Sequence, residues 1–131
     1  MPFVLKLDDG AVSDIDLRRL AHLGDAVFEL YERELELLPN PSSKKMHDSV
    51  VSRVNARSQA KILENLMPHL NESEAYLVKR ARNLKTSGYK KIDQNIYRYA
   101  TAFEALIGYL YLSDQNRMIE ILQKTRESEP S

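Results

Sequence analysis

The sequence predicts an all-α fold. Apolar residues recur at three- and four-residue intervals over several long stretches, and no segment alternates with the two-residue period of a strand over a useful length. Capping residues stand just before the periodic runs. No internal repeat is present. With 131 residues the chain suits one domain, its core spanning about 14–124 and a frayed tail covering 125–131. Hydrophobic residues at 43% and charged residues at 29% exclude the disordered class.

The elements follow in order. The opening residues, up to about Val12, carry Asp8-Asp9-Gly10 and read as a turn-containing lead-in. Ser13 or Asp14 can cap a helix in which Leu17, Leu20, Ala21, Gly24, Val27, Phe28, Tyr31, Leu35 and Leu38 form the apolar stripe, ending before Pro39 and Pro41. Ser42 or Ser43 begins a second helix marked by Met46, Val50 and Val54. Its stripe loses register near Asn55, a fresh cap for a third helix on Ala56, Ala60, Leu63 and Met67. Asn71-Glu72-Ser73-Glu74 has the form of a capping box leading into Ala75, Val78 and Ala81. From Asn83 to Asp93 the periodicity dissolves into a polar, basic loop. Ile96, Tyr99, Ala100, Phe103, Ile107 and Leu110 then define a strong helix ending near Ser113, and a short helix around Met118, Ile119 and Leu122 precedes the tail.

Composition narrows the function. Without cysteine, neither a disulfide framework nor a thiolate metal site is available, so any metal must use oxygen or imidazole ligands. The amino terminus reaches acids before a signal-peptide apolar region can form, and no stretch approaches the roughly 18 apolar residues of a membrane span, which points to a cytoplasmic protein with no membrane partner. Net charge is zero, yet unevenly spread. Acids dominate from Asp14 to Glu36, whereas Lys79, Arg80, Arg82, Lys85, Lys90, Lys91 and Arg98 face only Asp93, and Lys44, Lys45, Arg53, Arg57 and Lys61 face only Asp48. Two readings fit this asymmetry: solvated helix faces, or the surface of a metal-dependent nuclease, in which bases hold phosphates and acids hold the cation.

Two carboxylates stand out by position. Asp25 borders the stripe of Ala21, Gly24 and Phe28, and Glu104 lies beside Ala100, Phe103 and Ile107, so both should be partly buried at helix junctions. A half-buried carboxylate is costly unless paired or metal-bound. Either each has its own arginine, or the two share a cation.

The surrounding residues bear on that choice. Leu20-Ala-His-Leu-Gly-Asp-Ala-Val-Phe28 resembles the Leu-Gly-Asp-Ala-Val signature of the ribonuclease III family, and Thr101-Ala-Phe-Glu-Ala-Leu-Ile-Gly108 resembles its second signature. Joined to Arg80-Ala-Arg-Asn83 and Tyr97-Arg-Tyr-Ala-Thr-Ala-Phe103, the pattern is similar to that of the Mini-III subgroup, whose members lack a double-stranded-RNA-binding domain; the resemblance covers about residues 14–124. It implies a homodimer of helical domains forming a valley for duplex RNA, each subunit cutting one strand to leave a 3′-hydroxyl and a 5′-phosphate. On matching positions Asp25 and Glu104 take the roles of the catalytic, metal-binding carboxylates, holding Mg²⁺ so that the attacking water is acidified and aligned. The resemblance further implies maturation of the large-subunit (23S) ribosomal RNA precursor, with a ribosomal protein as a candidate partner presenting the RNA.

Full-length ribonuclease III enzymes carry a Glu where this chain has Ala21 and an Asp where it has Thr101, so half of the usual acidic set is absent, as is characteristic of Mini-III proteins. Waters and an RNA phosphate would complete the octahedral shell of the ion. Thr101 can orient a water or simply pack. For RNA contacts, Lys85, Lys90 and Lys91, with Arg80, Arg82 and Asn83 at the loop entry, can grip phosphates, and Ser49, Ser52 and Asn55 beside Lys44 and Lys45 suit the shallow groove of A-form RNA. The alternative is a solvated loop and a capped helix, with Arg80 and Arg82 paired to acids inside the fold. His22 projects away from the Asp25 border and, like His47 and His69, reads as a surface residue. Tyr97, Tyr99, Tyr109 and Tyr111 read as core or interface packing. Two readings stand beside the nuclease: a catalytically silent RNA-binding or ribosome-associated module on the same scaffold, and a helical module that docks on an acidic protein.

Overall fold

A computed structural model describes residues 2–85 and 91–127, the side chains of 91–93 excepted. Every regular element among them is helical: α1 (Asp9–Ser13), α2 (Leu17–Glu36), α3 (Ser43–Val54), α4 (Ala56–Leu66), a 3-10 turn (Met67–His69), α5 (Glu72–Arg82), α6 (Lys91–Ser113) and α7 (Gln115–Glu127). The all-α expectation holds. No described helix is long and apolar enough to cross a membrane.

α6 is the axis. Ala102, Phe103, Ala105, Leu106 and Ile107 are all buried, so the middle of the helix is covered on most sides, with Glu104 among them only half-buried. α2, α4 and α5 pack around it, and α7 closes the far end. Phe28 of α2 meets Phe103 edge to face, with ring centroids 4.9 Å apart.

The closest approach is between α2 and α6, and it needs two glycines. A Cβ on Gly24 would stand 1.7 Å from the Glu104 carbonyl oxygen, and one on Gly108 would stand 2.0 Å from that of Leu20. Both obstructions are backbone, so no side-chain rotation relieves them. This crossing brings the neighbours of Gly24 and Glu104 face to face.

Caps set the helix boundaries. Ser42 begins α3, Asn55 caps α4, and Asn71 with Glu74 forms a complete capping box on α5, all at expected positions. The cap of α2 is Asp16, whose Oδ1 accepts from Arg19 N at 2.8 Å, and not Ser13 or Asp14. Those two belong to the end of α1, a short helix where the sequence suggested only a turn; Asp8 caps it. Leu35, placed in the stripe of α2, is exposed because the helix outruns the core it covers, and Leu38, placed in the same stripe, lies past the end of α2 at Glu36 and is exposed in the turn that follows.

The last helix also differs from expectation. α7 continues through Thr125 and Arg126 to Glu127, so the frayed tail does not begin at 125. Thr125 is 1% exposed, and Arg126 ion-pairs with Glu32 of α2, itself 0% exposed. Arg53 of α3 reaches the same carboxylate at 3.1 Å, so one buried Glu ties α2, α3 and α7. A second clasp joins α7 to α5. Arg117 contacts both Glu74 oxygens at 2.8 Å and the His69 carbonyl at 2.9 Å. Burial pushes the Glu74 carboxyl up, but Arg117 and the Asn71 backbone outweigh it and hold it below its ordinary value.

Candidate active site

Arg18, Ala21, His22 and Asp25 share one face of α2, and Tyr97, Thr101 and Glu104 share one face of α6. Together they line an open cleft of about 250 Å³. Asp25 and Glu104, 79 positions apart in the chain, are within hydrogen-bonding reach of each other there. Among the described residues neither forms an ion pair, so the arginine-paired reading of the two carboxylates fails.

The electrostatics of the pair are those of two acids crowded together without a counter-charge. Burial, then the adjacent Asp25, pushes the Glu104 carboxyl up to about 8, while a hydrogen bond from Gln59 pulls the other way. Asp25 is exposed at the cleft mouth and Glu104 is half-buried behind it. The donor set suits a hard divalent cation. It offers anionic oxygens on one side and open space for water and phosphate on the other. Among the described residues no group of three or more acidic, imidazole or thiol side chains is placed to share an ion, so a cation here would rest on two carboxylates. Ala21 and Thr101, the positions that are acidic in full-length ribonuclease III enzymes, line the same cleft and leave it less charged.

His22 does not project away from Asp25. One α-helical turn separates the two, and both line the cleft. Arg18 lies a further turn back, and its Nη2 also donates to the Lys85 carbonyl at 2.6 Å, tying the start of the basic loop to α2. Arg18, Tyr97 and Gln59 were not foreseen; the i, i+4, i+7 spacing from Arg18 to Asp25 and from Tyr97 to Glu104 was the signal available for the first two. Of the tyrosines assigned to packing, Tyr97 therefore faces the cleft, whereas Tyr111 packs on Phe3.

The basic and polar residues expected to meet RNA are distributed differently. Arg80 and Arg82 stack on Tyr76 and Tyr99 at 5.6 and 5.2 Å from the ring centroids, and Arg82 also donates to the Tyr99 hydroxyl. Their partners are thus tyrosines, not the acids considered from sequence. Asn83 caps the C-terminus of α5 and is exposed, as is Lys85. Lys91 begins α6, so the loop is shorter than Asn83 to Asp93; its side chain and the whole of Lys90 lie outside the described residues. Lys44, Lys45 and Ser52 are exposed on α3, with Lys44 near Asp48 at 3.2 Å, and none of them lines the cleft. Ser49 and Ser52 donate to Asn40 and to the Ser49 carbonyl, and Asn55 spends both amide hydrogens on Val51 and Ser52 while its oxygen caps α4.

A helical bundle that crosses two glycine-bearing helices to join an Asp and a Glu in an open cleft is the architecture of a ribonuclease III-type endonuclease. The ribonuclease III domain profile matches residues 18–115, and the chain belongs to the ribonuclease III family. It is similar to the Mini-ribonuclease 3 of Gloeobacter violaceus, 42% identical over 88% of this chain and 86% of that one. The Mini-ribonuclease 3 of Synechocystis is 43% identical over 88% and 80%, and that of Brevibacillus brevis 46% over 80% and 81%. A crystal structure of a protein from Fusobacterium nucleatum superposes with a TM-score of 0.79 at 31% identity, covering 95% of this chain and 100% of that one. The protein is an endoribonuclease acting on RNA, which favours the enzyme over the silent and protein-docking readings.

Proposed function

We propose that this enzyme cleaves double-stranded or structured RNA with Mg²⁺ as cofactor, using Asp25 and Glu104 as its catalytic carboxylates. The observation that carries the reading is the meeting of these two acids, from distant stretches of sequence, in one open cleft without an arginine partner. A divalent cation held by these carboxylates would supply Lewis acidity for the scissile phosphate and the attacking water. The chain's own residues do the rest. Asp25, at the mouth, and Glu104, half-buried behind it, would hold the cation and balance its charge, and Arg18 on the same wall offers a guanidinium to a phosphate oxygen. Thr101, buried beside Glu104, can hold a water by its hydroxyl.

The substrate we favour is the 23S ribosomal RNA precursor, with the enzyme acting in the cytoplasm as a homodimer so that paired sites cut both strands. A ribosomal protein is the candidate partner that presents the RNA. Basic residues at Lys44, Lys45, Lys85, Lys90 and Lys91 supply the phosphate contacts, supported by Arg80, Arg82, Asn83, Ser49, Ser52 and Asn55 along the flanking helices. The Mini-ribonuclease 3 relatives support this choice of subgroup.

The test is cleavage of duplex RNA with Mg²⁺, with EDTA, and by Asp25→Asn. Cleavage should vanish with EDTA and in the variant, while folding and most RNA binding persist, because the amide keeps the shape and removes the charge that holds the cation. Normal cleavage by Asp25→Asn overturns the site assignment. Mapping 23S precursor ends with and without the protein tests the substrate; unchanged ends exclude it.

A further inference from the structure

Gln59 is one of few polar side chains buried in the molecule, at 2% exposed, and the reason lies in the break between α3 and α4. Asn55 is extended there, with φ −74° and ψ 161°, so the helical ladder stops at Val54. The Val54 carbonyl would bond Ser58 N–H in a continuous helix, but that N–H is taken by Asn55 Oδ1 at 2.9 Å. Gln59 supplies the missing donor: its Nε2 reaches Val54 O at 2.9 Å. This bond also fixes which end of the carboxamide is nitrogen, because the reverse orientation would set two oxygens against each other.

An amide nitrogen carries two hydrogens. With one committed to Val54, the other is left for a second acceptor, and the nearby acid is Glu104, whose carboxyl Gln59 pulls down against burial and Asp25. The carboxamide thus bridges a helix break on one side of the bundle to the half-buried acid on the other. It cannot rotate without stranding the Val54 carbonyl, so it presents a fixed donor on the side of Glu104.

We propose that Gln59 is a positioning residue of the active site: clamped by the Val54 carbonyl, it holds the Glu104 carboxylate in the orientation that receives a divalent cation beside Asp25. The inference rests on the two-carboxylate reading above and adds to it a third residue, from a helix that contributes nothing else to the cleft wall. Gln59 touches neither RNA nor the reacting atoms. Its effect is therefore on cation affinity and turnover and not on RNA capture.

The experiment compares the full chain with Gln59→Met, which fills the same space without a donor, and with Asp25→Asn in parallel. Mn²⁺ binding to the RNA-free protein is measured by calorimetry, melting is followed by circular dichroism, and kcat and KM are determined on a mixed-sequence RNA duplex below the melting range. Loss of an outer hydrogen bond to a metal ligand should lower both Mn²⁺ affinity and kcat by about 10-fold or more, with KM for RNA unchanged and raised Mn²⁺ restoring part of the rate. If Gln59→Met merely melts lower, with Mn²⁺ affinity and kcat intact, Gln59 only caps the helix break and the proposal is overturned. Should Gln59→Met fail to fold, Gln59→Ser, whose space admits a water to the Val54 carbonyl, is judged by the same two quantities. Normal Mn²⁺ binding and cleavage by Asp25→Asn overturns the site assignment itself, whereas an inactive Asp25→Asn beside a normal Gln59 variant overturns only the role of Gln59.

Discussion

At the scale of single residues the site is a controlled electrostatic conflict. Glu104 titrates near 8 in the cation-free protein, against an ordinary 4.5, chiefly through burial and then through Asp25. The folded chain therefore holds that proton more tightly than the unfolded chain. The resulting stability is fully present below about pH 4.5 and is lost as pH rises through about 8. Glu104→Gln, neutral throughout, should remove this loss and raise the cation-free melting temperature at about pH 8.5 by on the order of 5 °C. In the unsubstituted protein Mg²⁺ should raise the melting temperature more at about pH 8.5 than at about pH 6.5, since protons compete for the same oxygens; Glu104→Gln should lose this difference. Thermal scans at both pH values check it, and an equal Mg²⁺ effect at both would contradict the shared-cation reading. Asp25 and Glu104 were legible in the sequence because their neighbours carry family signatures. His22 is a surface residue, as read, but its placement away from Asp25 failed, because projection against the apolar stripe measures distance from the core and not distance from Asp25 one turn along. The helix break beside Gln59 was legible at Asn55, but the role of Gln59 at the site was not, because it depends on a tertiary contact with α6.

At the scale of elements, placement of the acids depends on how closely two helices approach. Gly24→Ala and Gly108→Ala each set a methyl against backbone carbonyl oxygen, so α2 and α6 must part. The expected cost is about 1–3 kcal/mol despite the better helix propensity of alanine, with cleavage lost beyond the loss of folded protein, as the carboxylates separate. Gly10→Ala, whose Cβ would meet only Asp8 Oδ1 at 3.5 Å, serves as the control and should be near neutral. Urea unfolding and single-turnover cleavage separate the two effects, and an active, stable Gly24→Ala would refute the crossing argument. Most element boundaries could be read from local chemistry, since Ser42, Asn55 and Asn71 act on their own backbone neighbours. The end of α7 could not, because it is fixed by Arg126 reaching a glutamate 94 positions away. Leu35 failed for the same reason in reverse, since its period is helical but no other described element covers it, and Leu38 failed because α2 stops at Glu36 before reaching it.

At the scale of the whole molecule, zero net charge conceals an uneven spread, with acids gathered on α2 and bases on the later segments. Affinity for RNA is then a matter of local charge and should fall steeply with salt. Reversing the charge of Lys90 and Lys91 should weaken binding across sequences and flatten its salt slope, read by gel mobility at several ionic strengths; unchanged binding would remove this segment from the RNA surface. The bond from Arg18 to the Lys85 carbonyl ties the start of that segment to the cleft wall, so if the proposed RNA contacts hold, loss of this bond by Arg18→Ala should affect binding and cutting together.

The backbone-to-backbone fit at positions 24 and 108 carries a practical lesson for redesign. Because the helices that carry the acids meet on bare main chain, a library meant to alter which RNAs are cut can vary the outward faces of α3, α4 and the basic segment broadly, provided those two glycines and the buried Gln59 stay fixed. Diversity spent on the crossing itself would yield misassembled protein before it yielded new specificity.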